Sequence, residues 1–305
     1  MRMVRSFNML SFRLLWQIPV ALLLVVILVL SLNELAVASG SRRTKDISYL
    51  PPAITQSYPT DRHRLDVFSP RKRDPNGRPV VLFIHGGNWN SGNKNLYTIL
   101  GRRLAKQGVV AVIINYRLSP NVEVPAMAED CAQAVRWATQ HIAEYGGDPD
   151  RIFVMGHSAG GGLAALLATD DQLFATIGLA KNPVKGAILD DPGGLDMFDY
   201  LKKMEYPGDD QYLVPFGKDP SVWRDMSPMY HVRADSPPML LYVGERTYPS
   251  IASSTRTFNK RLLELGTRHT FTVIPGKKHI AMVTQLFWQH NIIYRDLLKL
   301  VGVKP

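Results

Sequence analysis

One cysteine, Cys131, stands in a chain of 305 residues, so no intramolecular disulfide can brace the fold. It sits in an alanine-rich helical stretch and reads as a small buried apolar residue rather than a nucleophile. Internal repeats of 20 to 50 residues and low-complexity tracts are also absent, which argues against repeat architectures. A basic stripe with interleaved aromatics is missing too, although the chain carries a net charge of +10. Short pairs such as Arg42-Arg43, Lys202-Lys203 and Lys277-Lys278 alternate with acids, which describes a solvated basic surface and gives no reason to expect a nucleic-acid partner. With 46% hydrophobic and 20% charged residues, disorder is no account of the chain as a whole. Its length suits one large domain or two small ones, and is enough for a core that needs no disulfide.

What is present begins with an unusual N-terminus. Arg2, Arg5 and Arg13 precede an apolar run at 18–32 (IPVALLLVVILVLSL), and Ala36-Val37-Ala38 offers small residues in an A-x-A pattern. That is the layout of a secretory signal peptide. Counted from Leu14 the same stretch nears the ~17–25 residues that span a bilayer, so an uncleaved anchor at 14–32 is the competing reading. Both predict export to the periplasm or medium, with membrane association only if the segment is retained. No cysteine follows the small residues, so a lipid-modified terminus is unsupported. Without the three Arg and Glu34 of residues 1–38, the remainder keeps 33 basic and 25 acidic side chains, a net +8.

Residues 39–60 read as a linker and entry segment, and 61–305 as the folded domain. Strand-like runs fall at 79–85, 109–116, 151–157, 184–189, 238–245 and 269–275, separated by helical stretches at 96–107, 126–145, 159–168, 251–265 and 280–301. The strands are continuous apolar runs, the pattern of strands buried on both faces. Such alternation predicts an α/β fold: a mostly parallel sheet with helices on both faces. Residues 190–237 break the rhythm, holding no clear strand but seven aromatics, among them Tyr200, Tyr212, Phe216 and Trp223. An insertion of this length at the C-terminal edge of a parallel sheet is a lid-like pocket wall or a structural excursion with its own small core.

The chemistry centres on Gly156-His157-Ser158-Ala159-Gly160, a G-x-S-x-G match. Chance alone supplies that pattern in about one chain in ten of this length. Its setting is more specific, because it follows the strand RIFVM and opens the helix AGGGLAALLA. A serine exposed on a strained strand-to-helix turn needs neighbours without a Cβ, and the helix N-terminus turns the Ala159 amide toward developing negative charge. His85-Gly86-Gly87-Asn88-Trp89 closes the strand PVVLFI, and two glycines there let backbone amides fold back toward the same serine. Of eight histidines, His279 follows the last strand through a Gly turn, where the order Ser, acid, His requires the base. His157, next to the serine, points away across the pleat.

The runs HGGNWNSGNK, INYRLSP, PAMAEDCAQAVRW, GGDPDRIFVMGHSAGGG and PPMLLYVG together resemble the carboxylesterase-type α/β hydrolases with an HGG oxyanion motif. That group contains hormone-sensitive-lipase-like and feruloyl-esterase-like bacterial esterases. The likeness covers roughly residues 60–300. It implies the α/β-hydrolase fold and cleavage of a small-molecule carboxylic ester through an acyl-enzyme, with no cofactor and no metal. It assigns Ser158 as nucleophile, His279 as base, and Gly87, Asn88 and Ala159 as amide donors.

The acid departs from the pattern. Where the resemblance places an aspartate, three residues after Gly244, this chain has Thr247. A threonine cannot carry the charge that stabilises an imidazolium. Glu245 is the first replacement, two residues back and with a longer side chain. Asp190 and Asp191, at the end of the preceding strand, are the alternatives, and an absent acid is the third. Losing the acid costs about 10⁴ in rate. Three functions follow in order: an exported serine esterase, a catalytically weak or inactive binding protein of this fold, and an amide or lactone hydrolase. Oligomeric state is not legible.

Overall fold

A computed structural model of the chain describes residues 40–51, 61–205, 207–288 and 290–303, with Val20 and residues 23–25. The signal or anchor reading of residues 1–38 therefore lies, those four residues apart, outside the described part. No helix among the described residues is long and apolar enough to cross a membrane.

The apolar runs form strands β1 (Ser41–Ser48), β2 (Arg64–Pro70), β3 (Arg78–Ile84), β4 (Val110–Ile114), β5 (Gly147–His157), β6 (Val184–Asp190), β7 (Met239–Gly244) and β8 (His269–Ile274). They make one sheet in the order β1-β2-β4-β3-β5-β6-β7-β8. Its first two pairings, β1 with β2 and β2 with β4, are antiparallel, and the rest are parallel. The helices are α1 (Thr98–Lys106), α2 (Val124–His141), α3 (Ala159–Thr169), α4 (Gln172–Thr176), α5 (Met197–Lys203), α6 (Leu213–Phe216), α7 (Pro220–Asp225), α8 (Pro249–Leu265), α9 (His279–Thr284) and α10 (Ile292–Leu300).

Period-two alternation divides each central strand between two cores. Val80, Leu82 and Ile84 of β3 join Val135 of α2, Leu163 of α3 and Phe258 of α8 on one face. Val81 and Phe83 join Leu104 of α1, Met282 of α9 and Leu297 of α10 on the other. Burial on both faces explains why these strands read as unbroken apolar runs. Cys131 is fully buried in the first of these cores, and burial pushes its thiol well up.

Three readings need correction. Residues 41–48, taken as linker, are the edge strand β1, whose charged residues suit a strand with one open side. The strand β2 was missed because Asp66 interrupts its apolar run. That carboxylate is fully buried, and it accepts from Arg43 Nε at 2.9 Å and from buried Lys94 Nζ at 2.7 Å. The helix expected over 280–301 is broken as well. Asn291 caps α10 by accepting from the Tyr294 amide at 3.0 Å, which separates that helix from α9.

Candidate active site

The site lies at the C-terminal edge of the sheet, where β3, β5, β6 and β7 each end in a residue with a special backbone or a polar group. At the end of β5 the chain turns through Ser158 at φ 56 and ψ −127, a strained conformation for a non-glycine residue, and enters α3 at once. A Cβ on Gly156 would fall on the Gly160 carbonyl, and one on Gly160 would fall on the Ile84 carbonyl of β3. The two glycines are thus required by helix–strand contact. The Ser158 amide donates to the Asp190 carbonyl at 3.2 Å, which ties the turn to the end of β6.

The segment after β3 approaches the serine closely. A Cβ on Gly86 would lie 2.8 Å from the His157 carbonyl oxygen and 3.0 Å from Ser158 Cβ. Asn88 and Trp89 continue at φ 54 and 59, so the HGG turn is held in a strained form. Its anchors are plain. Ser119 donates its amide to the Trp89 carbonyl at 2.9 Å, and the Tyr116 hydroxyl donates to the His85 carbonyl at 2.9 Å. The His85 ring stacks on Tyr116 at 4.4 Å, and burial lowers its pKa to about 4, so it stays neutral. Among the described residues neither the Gly87 nor the Asn88 amide is spent in a backbone hydrogen bond.

His279, the first residue of α9, reaches Ser158 Oγ with Nε2 at 2.9 Å. Its Nδ1 meets Asp191 Oδ2 at 2.6 Å. Asp191 is fully buried at φ 49. It also accepts from the Gly244 amide at 2.8 Å through Oδ1 and from the Thr247 hydroxyl through Oδ2. The carboxylate facing His279 is therefore Asp191.

Glu245, the first choice from the sequence, is elsewhere. The strand β7 ends at Gly244, so the extended spacing that aimed Glu245 at the histidine stops one residue short. Its Oε2 accepts the Gly276 amide at 2.7 Å and so fastens the turn that leads to His279. Asp190 points elsewhere as well. Both its carboxyl oxygens are buried with no hydrogen-bond partner among the described residues, and burial, with the adjacent Asp191 charge, pushes its pKa well up. That environment favours its protonated form.

Two residues near the pair were not singled out for this place. His157 donates Nε2–H to the His279 carbonyl at 3.1 Å and lies ring to ring with it at 4.7 Å. Burial, then the nearby His279, holds its pKa at about 4, so it is a neutral prop. The Tyr248 ring also packs on His279, with centroids 5.1 Å apart. Adjacency to Thr247 was the only sequence signal for it.

Above Ser158 opens a cavity of about 830 Å³, lined by the HGG turn, the His279 segment, the start of α8 and the 193–212 part of the long excursion. The aromatics and apolar residues of that excursion divide between cavity and core. Tyr200 and Tyr212 line the cavity, while Leu195, Leu201 and Phe216 are buried in the core. Trp89 joins the two, packing on Tyr212 at 5.9 Å and Phe216 at 5.0 Å.

A sheet of this order, with a serine elbow after β5 and a histidine after β8, defines the α/β-hydrolase fold. More narrowly, the chain belongs to the BD-FAE family, whose sequence profile matches residues 65–261. It is 30% identical over 246 residues to a probable isoprenylcysteine alpha-carbonyl methylesterase of Arabidopsis thaliana, covering 75% of this chain and 50% of that one. It is also 30% identical over 232 residues to Esterase LipC of Mycobacterium tuberculosis, covering 70% and 56%. The chain thus spans about half the length of the curated relatives it matches. Among solved structures, an inhibited esterase B from Lactobacillus rhamnosis superposes with a TM-score of 0.73 at 23% identity, over 86% of this chain and 87% of the other.

Proposed function

We propose that this chain is an exported serine esterase that cleaves small-molecule carboxylic esters through an acyl-enzyme. The observation that carries the reading is the unbroken line Ser158 Oγ, His279 Nε2, His279 Nδ1, Asp191 Oδ2, with steps of 2.9 and 2.6 Å. In that line His279 takes the Ser158 proton as Oγ attacks the ester carbonyl, and Asp191 stabilises the imidazolium. The amides of Gly87, Asn88 and Ala159 receive the oxyanion. The alcohol leaves with the proton from His279, and a water then attacks the acyl-serine with His279 again as base. Relatives named as esterases support the ester as substrate class.

The weak or inactive alternative rested on Thr247, and with Asp191 at His279 it loses its motive. No observation favours the amide or lactone reading. A fluorophosphonate probe should label the wild-type chain and not Ser158→Ala. Equal labelling of both would remove Ser158 from the reaction.

A further inference from the structure

The Gly87 and Asn88 amides are aimed by what holds the opposite edges of their peptide planes. In a planar trans peptide the C=O and N–H point in opposite directions, so an anchored carbonyl fixes the aim of the amide beside it. The Gly87 carbonyl shares its plane with the Asn88 amide. It accepts from the Asn90 amide at 3.1 Å, the Ser91 amide at 2.9 Å and the Ser91 hydroxyl at 2.8 Å. The Gly86 carbonyl shares its plane with the Gly87 amide and accepts from His85 Nδ1 at 2.8 Å. The first anchor is made within the turn. The second hangs on a side chain, and so on whatever fixes that ring.

Arg62 fixes it. This residue stands in the short helical turn ahead of β2, where its neighbour His63 is buried against Asp130 at 3.2 Å. Its Nε donates to the Tyr116 carbonyl at 2.9 Å, and Nη1 and Nη2 each donate to the Gly92 carbonyl at 3.2 Å. Tyr116 is the residue stacked on the His85 ring. Gly92 lies against the same ring, since a Cβ there would fall on the Gly86 carbonyl oxygen and on His85 Nδ1. Arg62 Nη2 also comes to 3.5 Å from His85 Nε2. A carbonyl only accepts, so Nδ1 carries the ring proton and Nε2 presents its lone pair to the guanidinium. Burial first, with the Arg62 charge adding to it, holds the His85 pKa at about 4 and so keeps that form at neutral pH. One planar fork thus ties together Tyr116, Gly92 and the ring they enclose.

Resting on the esterase reading above, we propose that Arg62 is a positioning residue for the oxyanion hole. By fixing the His85 ring it aims the Gly87 amide at the oxygen that becomes negative when Ser158 attacks. Arg62 is not among the described residues that line the cavity, so it acts through the turn.

The test uses the full chain, with active sites counted by fluorophosphonate labelling. Octylthio-trifluoroacetone reports on the hole: Ser158 Oγ bonds to its carbonyl carbon, the Oγ proton passes to His279, and the carbonyl oxygen becomes an oxyanion. Octylthioacetone has the same chain without the activated carbonyl and reports binding alone. In Arg62→Ala, kcat/KM for p-nitrophenyl butyrate per labelled site should fall at least about tenfold, approaching the ~10²–10³ that loss of an oxyanion donor costs. The Ki of the trifluoromethyl ketone should rise by the same factor, while that of octylthioacetone stays within about twofold. Arg62→Lys keeps the charge but lacks the planar fork, and should fall between wild type and Arg62→Ala. If Arg62→Ala does not fold, the same comparison on Arg62→Lys decides. A labelled variant whose kcat/KM per site and trifluoromethyl-ketone affinity match wild type would overturn the proposal, even if it melts earlier, and would leave the esterase reading intact. An equal loss of affinity for both ketones would overturn it too, by placing Arg62 in substrate binding. A wild-type chain that neither hydrolyses p-nitrophenyl butyrate nor is labelled would remove both readings.

Discussion

At Asp191 three donors converge on one buried carboxylate: the Gly244 amide, the Thr247 hydroxyl and His279 Nδ1. Such an acceptor holds the histidine in the tautomer whose Nε2 faces the serine. Asp191→Asn is expected to lower kcat by about 10³–10⁴, while Glu245→Gln leaves it within a few-fold. Thr247→Val should cost far less than Asp191→Asn, and Thr247→Ser should restore the loss; a large drop in Glu245→Gln alone would reverse the assignment. Asp190 allows a prediction about pH. Its folded pKa is raised, so the folded state holds a proton that the unfolded chain releases above about pH 4. The stability tied to that proton is present at low pH and falls as pH rises toward the folded value. Asp190→Asn removes this loss. Its melting temperature relative to wild type should climb from pH 4 to pH 8, and a pH-independent difference would refute the neutral buried acid.

At the scale of elements, the excursion after β6 divides its aromatics between two tasks. Phe216 is 1% exposed and belongs to the core. Phe216→Ala should cost about 3–5 kcal/mol of stability through the cavity it leaves. Tyr212 lines the cavity above Ser158, so Tyr212→Ala should shift preference among p-nitrophenyl esters of graded acyl length more than it shifts melting temperature. If urea unfolding and ester profiling report the same ranking for both variants, the division fails. The excursion also reaches the HGG turn through Trp89, which packs on Tyr212 and Phe216.

For the molecule as a whole, export is the open expectation. Protein recovered from its native host should begin at or near Ser39, and an intact Met1 or Arg2 terminus in the membrane fraction would establish the anchor instead. Much of the architecture was legible in residue order. Two-sided burial writes itself as unbroken apolar runs, which predicted six strands and the parallel sheet. The serine elbow and the HGG turn are local, since the glycines that permit each strained turn lie within a few residues of it. His279 was found from its place after the last strand. The edge strand β1 was hidden by its charges, and β2 by Asp66, a buried carboxylate whose partners Arg43 and Lys94 are distant in sequence. The acid could not be decided in the same way. Position in the chain put Glu245 first with Asp190 and Asp191 as alternatives, but adjacent residues at a strand end diverge to opposite faces. Only the left-handed turn at Asp191, the end of β7 at Gly244 and the packing of α9 bring one of the three within 2.6 Å of His279. Those are long-range contacts, and the tertiary structure alone determines them.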